Sequence, residues 1–571
     1  MFNIHKTALA CLISLHFYVG ANAQEISDDI AINQVGFYPA EPKIAVILTA
    51  NAADKPFRII DRAGKAVFEG GLNNTGVADF SQLHDTGTFY MDIKGLGRSC
   101  NFNIQDQVHR KVGIASLKAF YYQRASMPLL PAFAGKWSRK EGHPDTVVLI
   151  HPSAAFKNRT TRSVIAAPGG WYDAGDYNKY VVNSGISTAT LLSAYEDFPH
   201  YFDSIETNIP ESRNGVPDIL DEALYNMRWL FTMQDPQDGG VYNKCTNAKF
   251  DGMVMPDKAV APRYVVQKGT AAALNMSAVM AQGARIFRKY RYQFPGLADS
   301  CRIAAERAWK WALEHPDMPY DQDKMNKGNS PEIVTGGYGD KHFNDEWLWA
   351  AAELFVTTGS QAYFYKIQTQ MNDSIVVPSW SNVGILGYYT LLRHEKQQPA
   401  YAQDIVNMMK TRMLALADNY LPAGTFYTAM GHTKKDFIWG SNAVAANQGI
   451  LLIKAYLVTG DKKYREAALT NIDYLLGRNA TGYCFITGIG SKSPLHIHHR
   501  PSIADGIIEP VPGLLAGGPN PGRQDGVTFP QTTPEGSYTD QEAAYASNEI
   551  AINWNAPLVY LVNAIESINK K

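Results

Sequence analysis

The chain has 571 residues, 45% of them hydrophobic, with 53 lysines and arginines against 54 aspartates and glutamates. That length and apolar content exclude a disordered chain and allow one large domain or two. The near-neutral balance offers no electrostatic footprint for nucleic acid or an anionic membrane surface, so an uncharged partner is expected.

The first segment reads as an export signal. Lys6 precedes an apolar run from Thr7 to Gly20 that ends in Ala21-Asn22-Ala23, so residues 1–23 are expected to be cleaved. The run falls short of the roughly 20 apolar residues of a spanning helix, and no later stretch comes close, so no membrane span is expected. Removal of the segment takes away Lys6 and no acid, leaving 52 basic against 54 acidic residues, a net charge of −2. An exported, periplasmic or extracellular protein is expected. The remaining cysteines, Cys100, Cys245, Cys301 and Cys484, lack C-x-x-C spacing and indicate neither a zinc site nor a disulfide framework.

From residue 24 to 108 short apolar runs, "KIAVILTA", "FRIID", "TFYMDI" and "NFNIQ", alternate with Gly, Asn, Asp and Pro turns, which predicts a small β-sandwich. From 109 to 571 the apolar spacing turns helical. Twelve segments carry it, from "ASLKAFYYQRASM" to "NAPLVYLVNAIESI". Gly460 and Gly477 are placed as helix terminators and Ser441 as an N-cap. Twelve helices in one domain suit a closed ring of helix hairpins better than a bundle, in which not every helix would reach a shared core. The long loops Lys136–Tyr180 and Thr481–Asp540, rich in Gly, Pro, His, Asp and aromatics, are expected to hold the chemistry.

"GGWYDAGDYNKYV", Gly169 to Val181, sets Asp173 and Asp176 three residues apart among glycines and tyrosines. Gly169 and Gly170 permit a tight turn, and Gly175 a backbone angle that other residues resist. The turn aims both carboxylates into one space, or else one acid caps the helix beginning near Tyr180. Acetal hydrolysis needs a proton donor as well. "YTDQEAAYASNEIAINWNAP" offers Asp540, Glu542 and Glu549, with Tyr545 one helical turn before Glu549 and apolar neighbours that raise a carboxyl pKa. "GIGSKSPLHIHHRPS" places His496, His498, His499 and Arg500 in one loop, suited to gripping sugar hydroxyls or, alternatively, zinc. Trp137, Trp171, Tyr172, Tyr177, Tyr483 and Tyr538 are candidate flat platforms for pyranose rings.

On these residues the chain resembles glycoside hydrolase family nine, the inverting cellulases, over nearly its whole mature length. Gly169–Asp176 fits the family's Gly-Gly-Trp-Tyr-Asp-Ala-Gly-Asp element, and Tyr538-x-Asp540-x4-Tyr545-x3-Glu549-x-Ala551-x3-Asn555-Ala556 its C-terminal signature. The histidine signature fits from Ile486 to Arg500, with Cys484 standing where the family usually has Ser, Thr or Val. "INQVGFYPAEPKIAV" resembles the immunoglobulin-like module that often precedes the catalytic domain. The resemblance implies a mainly α protein, an (α/α)6 barrel over 109–571 after an immunoglobulin-like β-sandwich over 24–108. It implies Asp176 as general base, Asp173 holding the same water, Glu549 as acid, His498 and Arg500 on the sugar, and Asp540 orienting or hydrogen-bonding near Glu549. Trp171, Tyr172, Tyr545 and His499 join them as expected substrate contacts.

No cofactor is expected for the chemistry. Family members often bind structural calcium, and "YGDKHFNDEWLWAA" resembles one ligand region, with Asp345 and Glu346 as candidate donors; Ser381, where some relatives carry an Asp ligand, leaves that calcium unsupported. The expectation is a monomeric endo-acting β-1,4-glucanase working on cellulose-like, mixed-linkage or xyloglucan chains. The alternatives are an exo-acting β-glucosidase or glucosaminidase, a non-catalytic glycan-binding protein, and a zinc hydrolase built on the histidine loop.

Overall fold

The structure, a computed structural model, describes residues 25–49, 53–371 and 374–570. The expected export signal, 1–23, lies outside the described residues. Nine strands follow: Ile30–Ala31 (β1), Gly36–Phe37 (β2), Ile44–Ile47 (β3), Pro56–Asp61 (β4), Ala66–Gly71 (β5), Val77–Asp79 (β6), Gly87–Ile93 (β7), Gly97–Arg98 (β8) and Phe102–Ile104 (β9). They form two sheets, β1-β3-β6 and β2-β9-β7-β4-β5 with β8 on β7. Period-two alternation sends Phe57 and Ile59 of β4 inward and leaves Arg58 out. Phe37, Phe89 and Phe102 of the larger sheet share one core with Ala45 and Ile47 of the smaller, which makes this region a sandwich.

Twelve helices of ten residues or more follow among the described residues: Arg110–Tyr122 (α1), Val181–Asp197 (α2), Asp218–Met233 (α3), Thr270–Phe287 (α4), Leu297–Glu314 (α5), Asn344–Thr358 (α6), Gln361–Gln370 (α7), Gly384–Arg393 (α8), Gln403–Asp418 (α9), Ser441–Thr459 (α10), Lys462–Leu475 (α11) and Ile552–Asn569 (α12). The protein is thus mainly helical, with a sheet-rich N-terminal region. Helix α2 touches α4, α4 touches α6, α6 touches α8, α8 touches α10, α10 touches α12, and α12 returns to α2. Each odd-numbered helix lies on an even one: α1 on α12, α3 on α2, α5 on α4, α7 on α6, α9 on α8 and α11 on α10.

The sequence explains this sorting. In α4, "TAAALNMSAVMAQGARIF", nearly every residue is buried, as befits a helix apolar all round. In α5 only one face is covered, with Cys301, Ala304, Ala305, Ala308, Trp309, Trp311 and Ala312 on the same side of the helix. Gly460 ends α10 in the left-handed region, as expected. Ser441 is not the N-cap; it is already helical, and Gly440 at φ +80° makes the turn because its Cβ would meet Trp554.

Buried polar contacts fasten the sandwich to the helices. The Tyr38 hydroxyl donates to Glu566 at 2.5 Å, Asn33 to Asp473 at 2.7 Å, and Arg465 pairs with Glu41 at 2.8 Å. Cys100, Cys245, Cys301 and Cys484 are buried free thiols. A further sheet organises the loops over the helix ends. Its strands Val148–Ile150 (β10), Val164–Ile165 (β11), Lys179–Tyr180 (β12), Lys244–Asn247 (β13) and Arg263–Val265 (β14) run in the order β11-β10-β14-β13-β12. Strand β12 leads from the aspartate loop directly into α2.

Candidate active site

Three loops distant in sequence meet beside β12. Ala174 pairs antiparallel with Ala551, His498 pairs parallel with Glu549, and Ala516 pairs with Ile550. The Ile552 N–H donates to the Asp173 carbonyl at 2.8 Å, and the Arg500 N–H to the Gly175 carbonyl at 3.1 Å. Glycine is required for two different reasons. Gly169 and Gly170 adopt φ of +79° and +75°, and a Cβ on Gly170 would strike the Trp229 ring. Gly175 does not occupy the left-handed region, contrary to expectation; its absent Cβ leaves room for the His498 carbonyl, which such an atom would meet at 2.2 Å.

The two aspartates are buried and open into one cavity of about 870 Å³. Asp173 accepts from Asn183 Nδ2 at 2.6 Å and from the Tyr338 hydroxyl at 2.7 Å. Burial and then the charge of Asp176 push its carboxyl up to about 8. Asp176 accepts from Asn178 Nδ2 at 2.5 Å and from the Tyr180 hydroxyl at 3.2 Å. The Asn178 amide is itself oriented, because its oxygen accepts from the Asn247 N–H and the Thr246 hydroxyl, both at 2.9 Å. Neither aspartate caps α2, whose N-terminus has no side-chain cap, so the capping alternative fails.

Glu549 lines the same cavity and is buried to the extent that desolvation, reinforced by Asp176, holds its carboxyl well above the usual range; Arg500 offsets only part of this. It follows a short helix, Tyr545–Asn548, and is itself extended, so Tyr545 precedes it by one turn that then unwinds. Glu549 Oε1 accepts from the Gly175 N–H at 3.3 Å. Among the described residues no hydrogen bond joins Asp176 to Glu549. His498 donates from Nδ1 to the Glu542 carbonyl at 2.6 Å, which leaves Nε2 as the free ring nitrogen. Arg500 donates to the carbonyls of Gly175 and Asp251 at 2.8 and 3.0 Å, and His498 and Arg500 both line the cavity.

Residues 110–562 match the family model Glycosyl hydrolase family 9, and residues 25–98 match the Cellulase N-terminal ig-like domain. The chain belongs to glycosyl hydrolase family 9. It is 43% identical to the Xyloglucan-specific endo-beta-1,4-glucanase BoGH9A of Bacteroides ovatus, over 95% of this chain and 94% of that one. It is 32% identical to Endoglucanase D of Acetivibrio thermocellus, over 95% and 84%. Among solved structures, the Bacteroides ovatus GH9 superposes with a TM-score of 0.90 at 42% identity, over 95% of this chain and all of that one.

In this family 9 chain several expected contacts turn away from the cavity. Trp171 and Tyr172 are wholly buried; Trp171 donates to Glu222 at 3.3 Å and the Tyr172 hydroxyl meets His143 at 2.9 Å, so both brace the loop from behind. His499 is likewise buried, its ring nitrogens on Ser502 and Gln123 at 2.8 and 3.0 Å, and Gln123 in turn holds the Ala174 carbonyl at 2.9 Å. Asp540 does not bond Glu549 or line the cavity. It accepts from the N–H groups of Leu495 and His496 at 2.8 and 2.9 Å and from Asn548, so it fastens the histidine loop. Trp137, Tyr177, Tyr483 and Tyr538 do not line the cavity either. Tyr545 does, its ring 5.7 Å from that of Trp439. The other aromatic walls, Phe250, Tyr338, Trp380, Trp439 and Trp554, went unread because each stands in a loop or helix start whose facing depends on closure.

The zinc alternative loses its ligands: His498 Nδ1 and both nitrogens of His499 are spent on separate protein partners. Among the described residues no three His, Cys, Asp or Glu side chains are arranged to hold a metal. For calcium, Asp345 uses one oxygen on the Val383 N–H at 2.7 Å, and Ser381 contacts Ser379 at 3.2 Å. Burial and neighbouring Asp345 hold Glu346 well above the usual carboxylate range.

Proposed function

We propose that this family 9 hydrolase is an exported endo-β-1,4-glucanase that inverts the anomeric centre of neutral glucan chains, xyloglucan among them. Asp176 is the general base. It takes a proton from a water also held by Asp173 while the water oxygen attacks the anomeric carbon. As the bond from that carbon to the glycosidic oxygen breaks, Glu549 gives its proton to the departing oxygen. His498 and Arg500 hold the adjoining sugar, and Tyr545 with Trp439 offers ring faces to pyranose units.

The observation that carries this reading is that Asp176 and Glu549 both line one cavity of about 870 Å³ and, among the described residues, no hydrogen bond joins them. Endo action is supported by exposed apolar side chains along the cavity, Phe250, Val334, Ile438 and Trp439, which suit a chain running past the site. Xyloglucan is favoured by the printed specificity of the Bacteroides ovatus relative. The cyclic contacts of α2, α4, α6, α8, α10 and α12 support an (α/α)6 barrel over 109–571, with the sandwich over 24–108 as its buttress. No helix of the described residues is long and apolar enough to cross a membrane.

The test is a hydrolysis panel of xyloglucan, barley-type glucan, carboxymethylcellulose and chitosan oligomers, followed by viscosity and reducing ends together. Viscosity is expected to fall before monosaccharide appears, and the first product anomer seen by NMR is expected to be α. Monosaccharide release from the first minutes, or a β anomer, would refute the endo or the inverting assignment respectively.

A further inference from the structure

Lys244 lies one strand behind the aspartates. On β13 it sits in register with Tyr180 of β12, and its side chain is wholly buried. Its ammonium donates to three neutral acceptors, Gln322 Oε1 at 2.7 Å, Thr335 Oγ1 at 3.0 Å and the Gly336 carbonyl at 2.6 Å. The rings of Tyr180 and Tyr320 face it, each centroid 5.4 Å away. No carboxylate reaches salt-bridge distance among the described residues. A buried cation without a paired anion is unfavourable unless a nearby charge offsets it. That charge is Asp176, which offsets part of the effect of burial; burial still draws the Lys244 ammonium down to about 7.

Two of the three acceptors, Thr335 and Gly336, belong to one strap. Gly336 donates its N–H to the Tyr180 hydroxyl at 3.0 Å, and that hydroxyl reaches Asp176. Two residues on, Tyr338 delivers its hydroxyl to Asp173. Tyr338 holds φ +46°, a left-handed angle that is strained for a tyrosine, so the strap needs holding from outside itself. Gln322 adds a second tie, donating to the Thr335 carbonyl at 2.8 Å.

We infer that Lys244 is a positioning residue for hydrolysis: it clamps residues 335–338 so that Tyr338 and Tyr180 hold both aspartates, and its charge offsets theirs. The inference rests on the hydrolase reading above. The other groups facing the aspartate pair are Glu549, Asp251, His498, Arg500, Tyr180 and Tyr338, of which the clamp acts on the two tyrosines alone.

The experiment compares wild type, K244M and T335V on a soluble β-glucan from about pH 4 to 9, with melting temperatures and a crystal structure of K244M. K244M is expected to lose about 10- to 100-fold in kcat with KM within about 3-fold. Its acid limb is expected to move to higher pH, because loss of a cation makes the carboxylate pair harder to ionise. The crystal structure is expected to show Tyr338 off Asp173. A folded K244M with wild-type kcat and acid limb, a loss confined to KM, or Tyr338 still on Asp173 would each overturn the inference. T335V removes one acceptor and keeps the cation, and decides the matter if K244M does not fold: a fall in kcat of about 3-fold or more at constant KM supports the clamp, and wild-type kcat overturns it. Failure of the wild type to cleave any glucan would strike the hydrolase reading, and the K244M structure would still decide the clamp.

Discussion

Gly175 holds Glu549: its backbone N–H donates to the glutamate Oε1 at 3.3 Å across 374 residues of chain. The residue between the two aspartates thereby sets the position of the Glu549 carboxyl relative to Asp176, the proposed donor and base. A Cβ at this position would fall 2.2 Å from the His498 carbonyl and 3.1 Å from Glu549 Oε1, and backbone cannot yield as a side chain tip can. Gly175→Ala is therefore expected to lower kcat/KM by about 100-fold or more, since ångström-scale misplacement is costly in a preorganised site. Steady-state kinetics on a soluble β-glucan checks this; wild-type turnover in G175A would contradict it.

Desolvation and then the charge of Asp176 hold the Glu549 carboxyl well above the usual range, as the proposed proton donor requires. Removing that proton source by Glu549→Gln preserves shape and is expected to lower kcat by about 10²- to 10⁴-fold, with oligosaccharide affinity within about 3-fold. In the wild type the alkaline limb of kcat/KM should lie well above the ordinary glutamate range, with activity falling as pH rises and the donor ionises. Kinetics with calorimetry separates chemistry from binding. An E549Q enzyme at full rate removes Glu549 from the role of acid.

Asp173 carries a stability cost that depends on pH in a definite direction. Its carboxyl is raised from 3.8 to about 8 in the folded chain, so its neutral form is the one the fold favours. The contribution is fully present below the unfolded value near 4 and is lost as pH rises through about 8. Asp173→Asn escapes that loss. Its melting temperature should match wild type near pH 4 and exceed it near pH 8 by on the order of 1–3 °C, while activity is lost. Thermal melts at the two pH values decide it, and a difference that shrinks toward alkaline pH would reverse the sign argued here.

Trp439 is 40% exposed on the cavity wall beside Tyr545. A ring placed for stacking adds affinity to ground and transition states alike. Trp439→Ala is thus expected to raise KM for polymeric glucan by about 5- to 20-fold with kcat little changed. Kinetics on xyloglucan and on a short oligosaccharide tests this, and an unchanged KM for both would remove Trp439 from the binding surface.

Much of this was legible in the linear chain, for a physical reason. Apolar periodicity is local, so each of the twelve helical segments was marked by its own residues, and all twelve exist. Asp173, Asp176, Glu549, His498 and Arg500 were found because carboxyl, imidazole and guanidinium groups crowded with glycines and aromatics leave a local trace. Ser441 misled, since a good capping residue one position late is indistinguishable in sequence from a cap; Gly440 took the turn because Trp554 leaves no room for a Cβ.

Facing could not be read in the same way. Trp171 and Trp439 each stand beside glycine in a loop, yet one is wholly buried behind the aspartates and the other lies on the cavity wall. Lys244 has no motif at all; its meaning comes from an unpaired charge and three acceptors 78 to 92 residues away. The sequence alone determined which carboxyl, imidazole and guanidinium groups crowd the site loops and which segments are helical, because those depend on neighbours a turn apart. Only the tertiary structure decided which of those groups share a cavity and which brace it from behind. That choice depends on backbone contacts such as Ala174 with Ala551, which exist only after segments hundreds of residues apart have been brought together by the packing of the helices between them.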